Sequence, residues 1–224
     1  MNATFPDRFA AGRVLSEQLR SYAKSADLLV LGLPRGGVPV AYEIAKSLDA
    51  PLDVFVVRKL GAPGQEELAM GAIAAGGVRV LDWSTIVALG IPQGTIDEVA
   101  KREAHELVRR ERQYRGHRQA PRMTGRTIML VDDGLATGSS MRAAVGALRA
   151  YRPAKVIVAI PVAPADVCEQ LRPLVDDLVC SMTPDPFYAV GLWYDDFSTV
   201  TDRDVRQLLA RAAESREHPD HAAL

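Results

Sequence analysis

The stretch Thr127 to Arg142, TIMLVDDGLATGSSMR, constrains the fold more than any other part of this chain. Thr127 to Val131 is short and almost wholly apolar, the pattern of an inner strand in a parallel sheet covered on both faces. Two carboxylates, Asp132 and Asp133, stand at its carboxyl end, where open α/β sheets bind ligands in the crevice beyond their strands. Paired acids there accept hydrogen bonds from neighbouring hydroxyls, and a ribose ring offers two. Gly134-Leu135-Ala136-Thr137-Gly138-Ser139-Ser140 follows. It is small enough to let backbone approach an anion, and it opens a helix whose N–H groups and dipole favour negative charge. Thr137 and Ser140 add hydroxyl donors. The Gly-Lys-Ser/Thr ending of a triphosphate loop is missing, so the stretch reads as a cradle for a monophosphate. The plainer alternative is a strand, an Asp-Gly turn and a helix cap.

Gly32-Leu33-Pro34-Arg35-Gly36-Gly37 repeats the theme. Asp27 to Leu33 reads as a buried strand that turns here into a helix through Leu48. Adjacent Gly36 and Gly37 let N–H groups face a ligand, and Arg35 offers a planar fork suited to phosphate oxygens. The spacing is not the GxGxxG of a dinucleotide fold, which disfavours a nucleotide-dependent oxidoreductase. A strand over Asp53 to Arg58 ends in a second cationic feature, Arg58-Lys59, followed by residues 60–69, which lack periodicity and read as a mobile lid loop. Met70 to Ala75 and Val78 to Leu81 read as a hairpin around Gly76-Gly77.

Val131-Asp132-Asp133-Gly134-Leu135-Ala136-Thr137-Gly138-Ser139-Ser140-Met141 resembles the phosphoribosyl pyrophosphate (PRPP) motif of type I phosphoribosyltransferases, especially the adenine enzymes. The resemblance implies that Asp132 and Asp133 hold the ribose hydroxyls. The 5′-phosphate would lie on backbone and hydroxyls from Leu135 to Ser140. It also implies that Arg35, Gly36 and Gly37 form the pyrophosphate loop, with a cis peptide at Pro34–Arg35. Arg58 and Lys59 would neutralise the departing pyrophosphate as charge grows on it. Thr183 to Gly191 is similar to the hood of 6-oxopurine enzymes, in which Phe187 or Tyr188 would stack on the base; Asp195 or Asp196 would contact the base or the ligand's metal. Mg²⁺ would travel with PRPP, touching Asp132 and Asp133 weakly or through water.

The organisation expected is one phosphoribosyltransferase-like domain, a doubly wound, mostly parallel α/β sheet over residues 1–224. Within it lie the lid at 60–69, a helical insertion at 84–120 and a hood segment at 182–200. The 224 residues, 48% of them hydrophobic, suffice to bury one such core but leave little for a second domain. A net charge of −1 gives no footprint for non-specific nucleic-acid binding, so any polyanion must be met by local cations. Helical Thr95 to Arg118 interleaves seven cations with glutamates; it reads as a solvated face or oligomer contact, with an RNA- or product-binding surface as the alternative. His105 and His117 in it read as solvated. Cys168 and Cys180 lack metal-ligand spacing and read as reduced core residues. No stretch approaches the ~18 apolar residues of a membrane span, and no apolar signal core opens the chain, which points to a cytoplasmic protein with a frayed tail from His218.

The function expected is therefore transfer of 5-phosphoribosyl from PRPP to a nitrogenous base, purine favoured, with release of pyrophosphate by a homodimer or higher oligomer. A non-catalytic PRPP or nucleotide sensor is the competing class. Binding without turnover would mark it.

Overall fold

The computed structural model describes residues 4–116 and 118–217, with the side chains of Glu67 and Glu217 left aside; His117 and residues 218–224 lie outside the described residues. Five parallel strands form the central sheet: β1 (Leu28–Gly32), β2 (Leu52–Val54), β6 (Thr127–Val131), β7 (Lys155–Val162) and β8 (Asp177–Met182), in the order β2-β1-β6-β7-β8. A second, antiparallel sheet holds β3 (Val57–Ala62), β4 (Gln65–Ala74) and β5 (Val78–Leu81).

Alternation along the strands explains the two layers around the central sheet. Leu28 and Val30 face one way, with Met129 and Val131, onto Leu15 and Leu19 of α1 (Arg8–Gln18) and its end, and onto Ile44 and Leu48 of α2 (Gly37–Leu48). Leu29 and Leu31 face the other way, with Ile128 and Leu130, onto Met141, Val145 and Leu148 of α5 (Ser139–Arg149) and Leu171 of α6 (Ala165–Leu171). The strands are apolar on both faces because both are covered. A third cluster joins the small sheet to the remaining helices. Leu60, Met70 and Ile73 pack with Ile86 of α3 (Trp83–Ala88), with Ile96 and Leu107 of α4 (Gln93–Arg115), and with Leu208 and Leu209 of α7 (Asp202–Glu217). Helices α3 and α4 together run from Trp83 to Arg115. No helix among the described residues is long and apolar enough to cross a membrane.

Two expectations need correction. Asp53 to Arg58 is not one strand: the chain leaves the central sheet after Val54 and enters the small one at Val57, with Phe55 and Val56 buried at the bend. Nor are residues 60–69 an unstructured lid. Leu60 pairs with Gly71 and Ala62 with Gln65 across a tight turn at Pro63-Gly64, where Gly64 takes φ 72°. The polar, glycine-containing composition that reads as a loop belongs to a hairpin tip whose Leu60, Ala62 and Met70 are buried on one face. Segment 182–200 carries a single 3₁₀ turn at Val190–Trp193 and is tied to the start of the chain, where Phe5 N–H donates to Trp193 O at 2.9 Å and Asp195 N–H donates to Phe5 O at 2.9 Å.

Candidate functional site

The strand order reverses between β1 and β6: the chain runs outward from β1 to β2, then returns to the other side of β1 and builds β6, β7 and β8. Such a reversal opens a crevice at the carboxyl ends of the two neighbouring strands. Register places Gly32, the last residue of β1, opposite Val131, the last of β6. The two motifs found in the sequence therefore leave the sheet side by side. Leu33 N–H donates to Val131 O at 2.8 Å and carries the pairing one step further.

Glycine is required where these loops touch. A Cβ on Gly36 would lie 2.0 Å from Asp133 Oδ2, and one on Gly37 would lie 2.5 Å from Val131 O. The backbone of the first loop thus rests directly on the acidic corner of the second, which no larger residue would permit. The Pro34–Arg35 peptide is cis, as expected.

The two carboxylates have different surroundings. Asp132 faces a cavity of about 330 Å³, lined also by Pro34, Lys59, Arg110, Thr137, Ser139 and Ser140. Its carboxylate accepts the Asp133 N–H at 2.9 Å. Burial, reinforced by the neighbouring Asp133 charge, holds the Asp132 pKa well above the usual carboxylate range. Asp133 turns instead toward α1, accepting a hydrogen bond from Arg8 Nε at 2.7 Å. Arg8 is itself fixed by donating to Ser198 O at 2.8 Å and by stacking 3.8 Å from the Phe197 ring centroid. Tyr194 closes this cluster, donating its hydroxyl to the Asp133 carbonyl at 2.5 Å; burial and the Asp133 charge push its phenol pKa up.

The loop from Gly134 to Ser140 is held closely against its neighbours. Leu135 is buried and donates its N–H to Val162 O at 3.0 Å, which pins the loop to β7. Gly138 takes φ 69° just before α5, and a Cβ there would lie 2.8 Å from Val167 Cγ1. Glycine at the cap position offers no side chain; the Ser139 N–H donates to Thr137 Oγ1 at 3.4 Å, and the start of the helix stands beside the Thr137, Ser139 and Ser140 hydroxyls at the cavity. Thr137 Oγ1 and Ser139 Oγ lie 3.0 Å apart.

Other expected residues are not brought into that cavity. Arg58 points away from it, donating Nε to Glu103 Oε2 of α4 at 2.8 Å, while neighbouring Lys59 lines it, as alternation along β3 demands. Arg35 lines an adjoining cavity of about 350 Å³ with Arg109, Arg110, Gln113, Tyr114 and Asp202. Phe187 is half-buried against the Val162–Trp193–Tyr194 cluster, and Tyr188 is 79% exposed; neither lines the Asp132 cavity. Asp195 accepts a hydrogen bond from Thr4 Oγ1 at 2.6 Å and is likewise absent from that lining, and Asp196 caps Ser198 N–H at 2.8 Å. Sequence reasoning missed Arg8 and did not single out Arg110. Arg8 carried no signal, being one cation at the start of an ordinary helix; Arg110 was visible only as part of a basic run.

Residues 4–181 match the family model described as phosphoribosyl transferase domain. A Mycobacterium tuberculosis protein, named as a phosphoribosyl transferase in two strains, is 45% identical over 208 residues. That match takes in 93% of this chain, and the chain spans only 47% of the relative's length. The crystal structure of TT1426 from Thermus thermophilus is 41% identical and superimposes with a TM-score of 0.85, covering 93% of this chain and 98% of that one.

Proposed function

The chain belongs to the phosphoribosyl transferase domain family, and we propose that it transfers 5-phosphoribosyl from PRPP to a ring nitrogen of a base, purine favoured, releasing pyrophosphate. The observation that carries this reading is one cavity in which Asp132 faces Lys59 and the Thr137, Ser139 and Ser140 hydroxyls across the sheet's reversal point. A pentose held by the acid sets its terminal phosphate at the mouth of α5 and its C1′ substituent against the glycine loop.

Transfer requires the C1′–O bond to pyrophosphate to lengthen as the base nitrogen approaches, with positive charge growing on the ribose ring and negative charge on the leaving group. Asp132 binds the hydroxyls and lies close enough to offset the ring charge. Lys59 and the N–H of Gly36 receive the departing oxygens, while the Gly37 N–H donates to Leu33 O at 3.1 Å and holds the loop in shape. Holding both reactants in line supplies much of the rate, so no Ser, Cys or His nucleophile is needed. Among the described residues, no three His, Cys, Asp or Glu side chains gather into a metal-binding group. Mg²⁺ prefers to keep several waters and substrate oxygens, so Asp132, which lines the cavity, is the residue that would meet it, while Asp133 is engaged by Arg8. Bound with PRPP, it would supply neutralisation of the charge that grows on the leaving pyrophosphate.

Incubating the protein with PRPP, Mg²⁺ and a panel of purine and pyrimidine bases tests the proposal, with mass spectrometry reading nucleotide formation. A nucleotide product from one or more bases is expected. PRPP binding with no product from any base would replace this reading with that of a sensor.

A further inference from the structure

We propose that Arg110, carried by the inserted helix α4, clasps the leaving pyrophosphate from the side opposite the glycine loop, with Arg35 and Arg109 forming the outer half of the same anion site. This rests on the phosphoribosyl reading and adds to it a wall that neither sequence motif supplies.

Pro34 and Arg110 each line both the Asp132 cavity and the adjoining one, so the two hollows meet between the pyrophosphate loop and α4. The outer hollow brings three guanidinium groups, Arg35, Arg109 and Arg110, against one carboxylate, Asp202. That carboxylate is already engaged. Tyr114 Oη donates to it at 2.8 Å and Gln113 Nε2 at 2.6 Å, whereas Arg35 Nη1 stands 3.9 Å away, too far for a hydrogen bond. With Glu106, paired to Arg109 and Arg110, counted beside Asp202, three guanidinium groups meet two carboxylates, so net positive charge still lines a polar hollow that continues from the place where pyrophosphate would depart.

Arg110 is also held in position. Glu106, one helical turn earlier, accepts from Arg110 Nε at 2.8 Å and from Arg109 Nε at 2.8 Å. Anchoring a guanidinium through Nε fixes the plane of its fork, which suits two phosphoryl oxygens better than a mobile ammonium would. Helix α4 is in turn locked to the sheet by buried Arg115, which donates to Asp53 and to Val54 O. The guanidinium thus sits on a braced helix above the site.

Calorimetric titration of the full chain with Mg²⁺ pyrophosphate, and separately with ribose 5-phosphate, tests the assignment. Arg110→Gln should weaken pyrophosphate binding by about tenfold or more, the loss of a charge-assisted hydrogen bond, while leaving ribose 5-phosphate binding and the melting temperature unchanged. Arg110→Lys should recover part of the loss. Arg112→Gln removes the same charge from an exposed position on the same helix and should leave pyrophosphate binding unaltered. Equal weakening by Arg110→Gln and Arg112→Gln, or none by either, overturns the inference while leaving the phosphoribosyl reading in place. Failure of the unmodified protein to bind ribose 5-phosphate overturns both.

Discussion

Arg8 and Asp133, 125 positions apart in the chain, meet as a nearly enclosed ion pair, with Nε 2.7 Å from Oδ2 and side chains 10% and 15% exposed. One member of the acidic pair is thereby fastened to the first helix, and the proposed ribose site depends on a residue far outside its motif.

Replacing Arg8 should show that dependence. Arg8→Met keeps the length of the stem but leaves Asp133 facing an apolar wall, and removing one partner of a buried pair costs about 3–5 kcal/mol. Urea unfolding should report a loss near that range, and PRPP affinity should fall with it because Asp133 can swing away from Gly36. A midpoint within error of the unmodified protein would show that the pair is ornamental.

Asp132 carries a stability cost that the proposed ribose-binding role would account for. Its pKa is raised in the folded protein by burial and by Asp133, so the charged form is disfavoured relative to the unfolded chain. Ligand-free stability should therefore fall as pH rises from the ordinary aspartate range, near ~3.9, through the elevated folded value. Asp132→Asn should then raise the ligand-free melting temperature at neutral pH, by about 2–4 °C for each kcal/mol relieved, while abolishing PRPP binding. The gain should shrink on acidification; a gain that is independent of pH would count against a charged Asp132.

The adjacent cations of β3 should separate in kinetics. Lys59 lines the cavity and Arg58 is bound to Glu103, so Lys59→Gln should lower kcat by at least ~tenfold, whereas Arg58→Gln should chiefly lower the melting temperature. The opposite pattern would restore Arg58 as the catalytic cation.

How much of this was legible depends on distance along the chain. Strand β6, its acidic end and the glycine-spaced turn into α5 are written in consecutive residues, and each local preference agrees with the fold. The glycine loop after β1 could be read for the same reason. The hairpin at residues 60–69 reads as a loop because its outward positions are polar and its turn is Pro63-Gly64; only the pairing of β3 with β4 reveals the inward set Leu60, Ala62 and Met70. Tertiary pairing overrode a loop-like composition. Arg8 and Arg110 lay beyond reach because nothing local distinguishes a cation that folds onto a distant carboxylate or cavity from one that faces water.

Helix α4 offers a last, sharper test, because a single buried cation ties it to β2 of the central sheet. Arg115 donates Nε to Asp53 Oδ2 at 3.0 Å and Nη2 to Val54 O at 2.7 Å, and Glu111 accepts from Nη1 at 2.5 Å. Burial raises the Asp53 pKa even with that guanidinium beside it. Arg115→Met should therefore destabilise the protein by about 3–5 kcal/mol at neutral pH, since it strands a carboxylate in a dry setting. Without Arg115 the Asp53 pKa rises further, so the deficit should lessen as pH falls and Asp53 takes up a proton. Adding Asp53→Asn to Arg115→Met should recover part of the lost stability, giving a coupling energy of about 0.5–3 kcal/mol in a double-mutant cycle. Additive losses would mean that Arg115 braces α4 by packing alone.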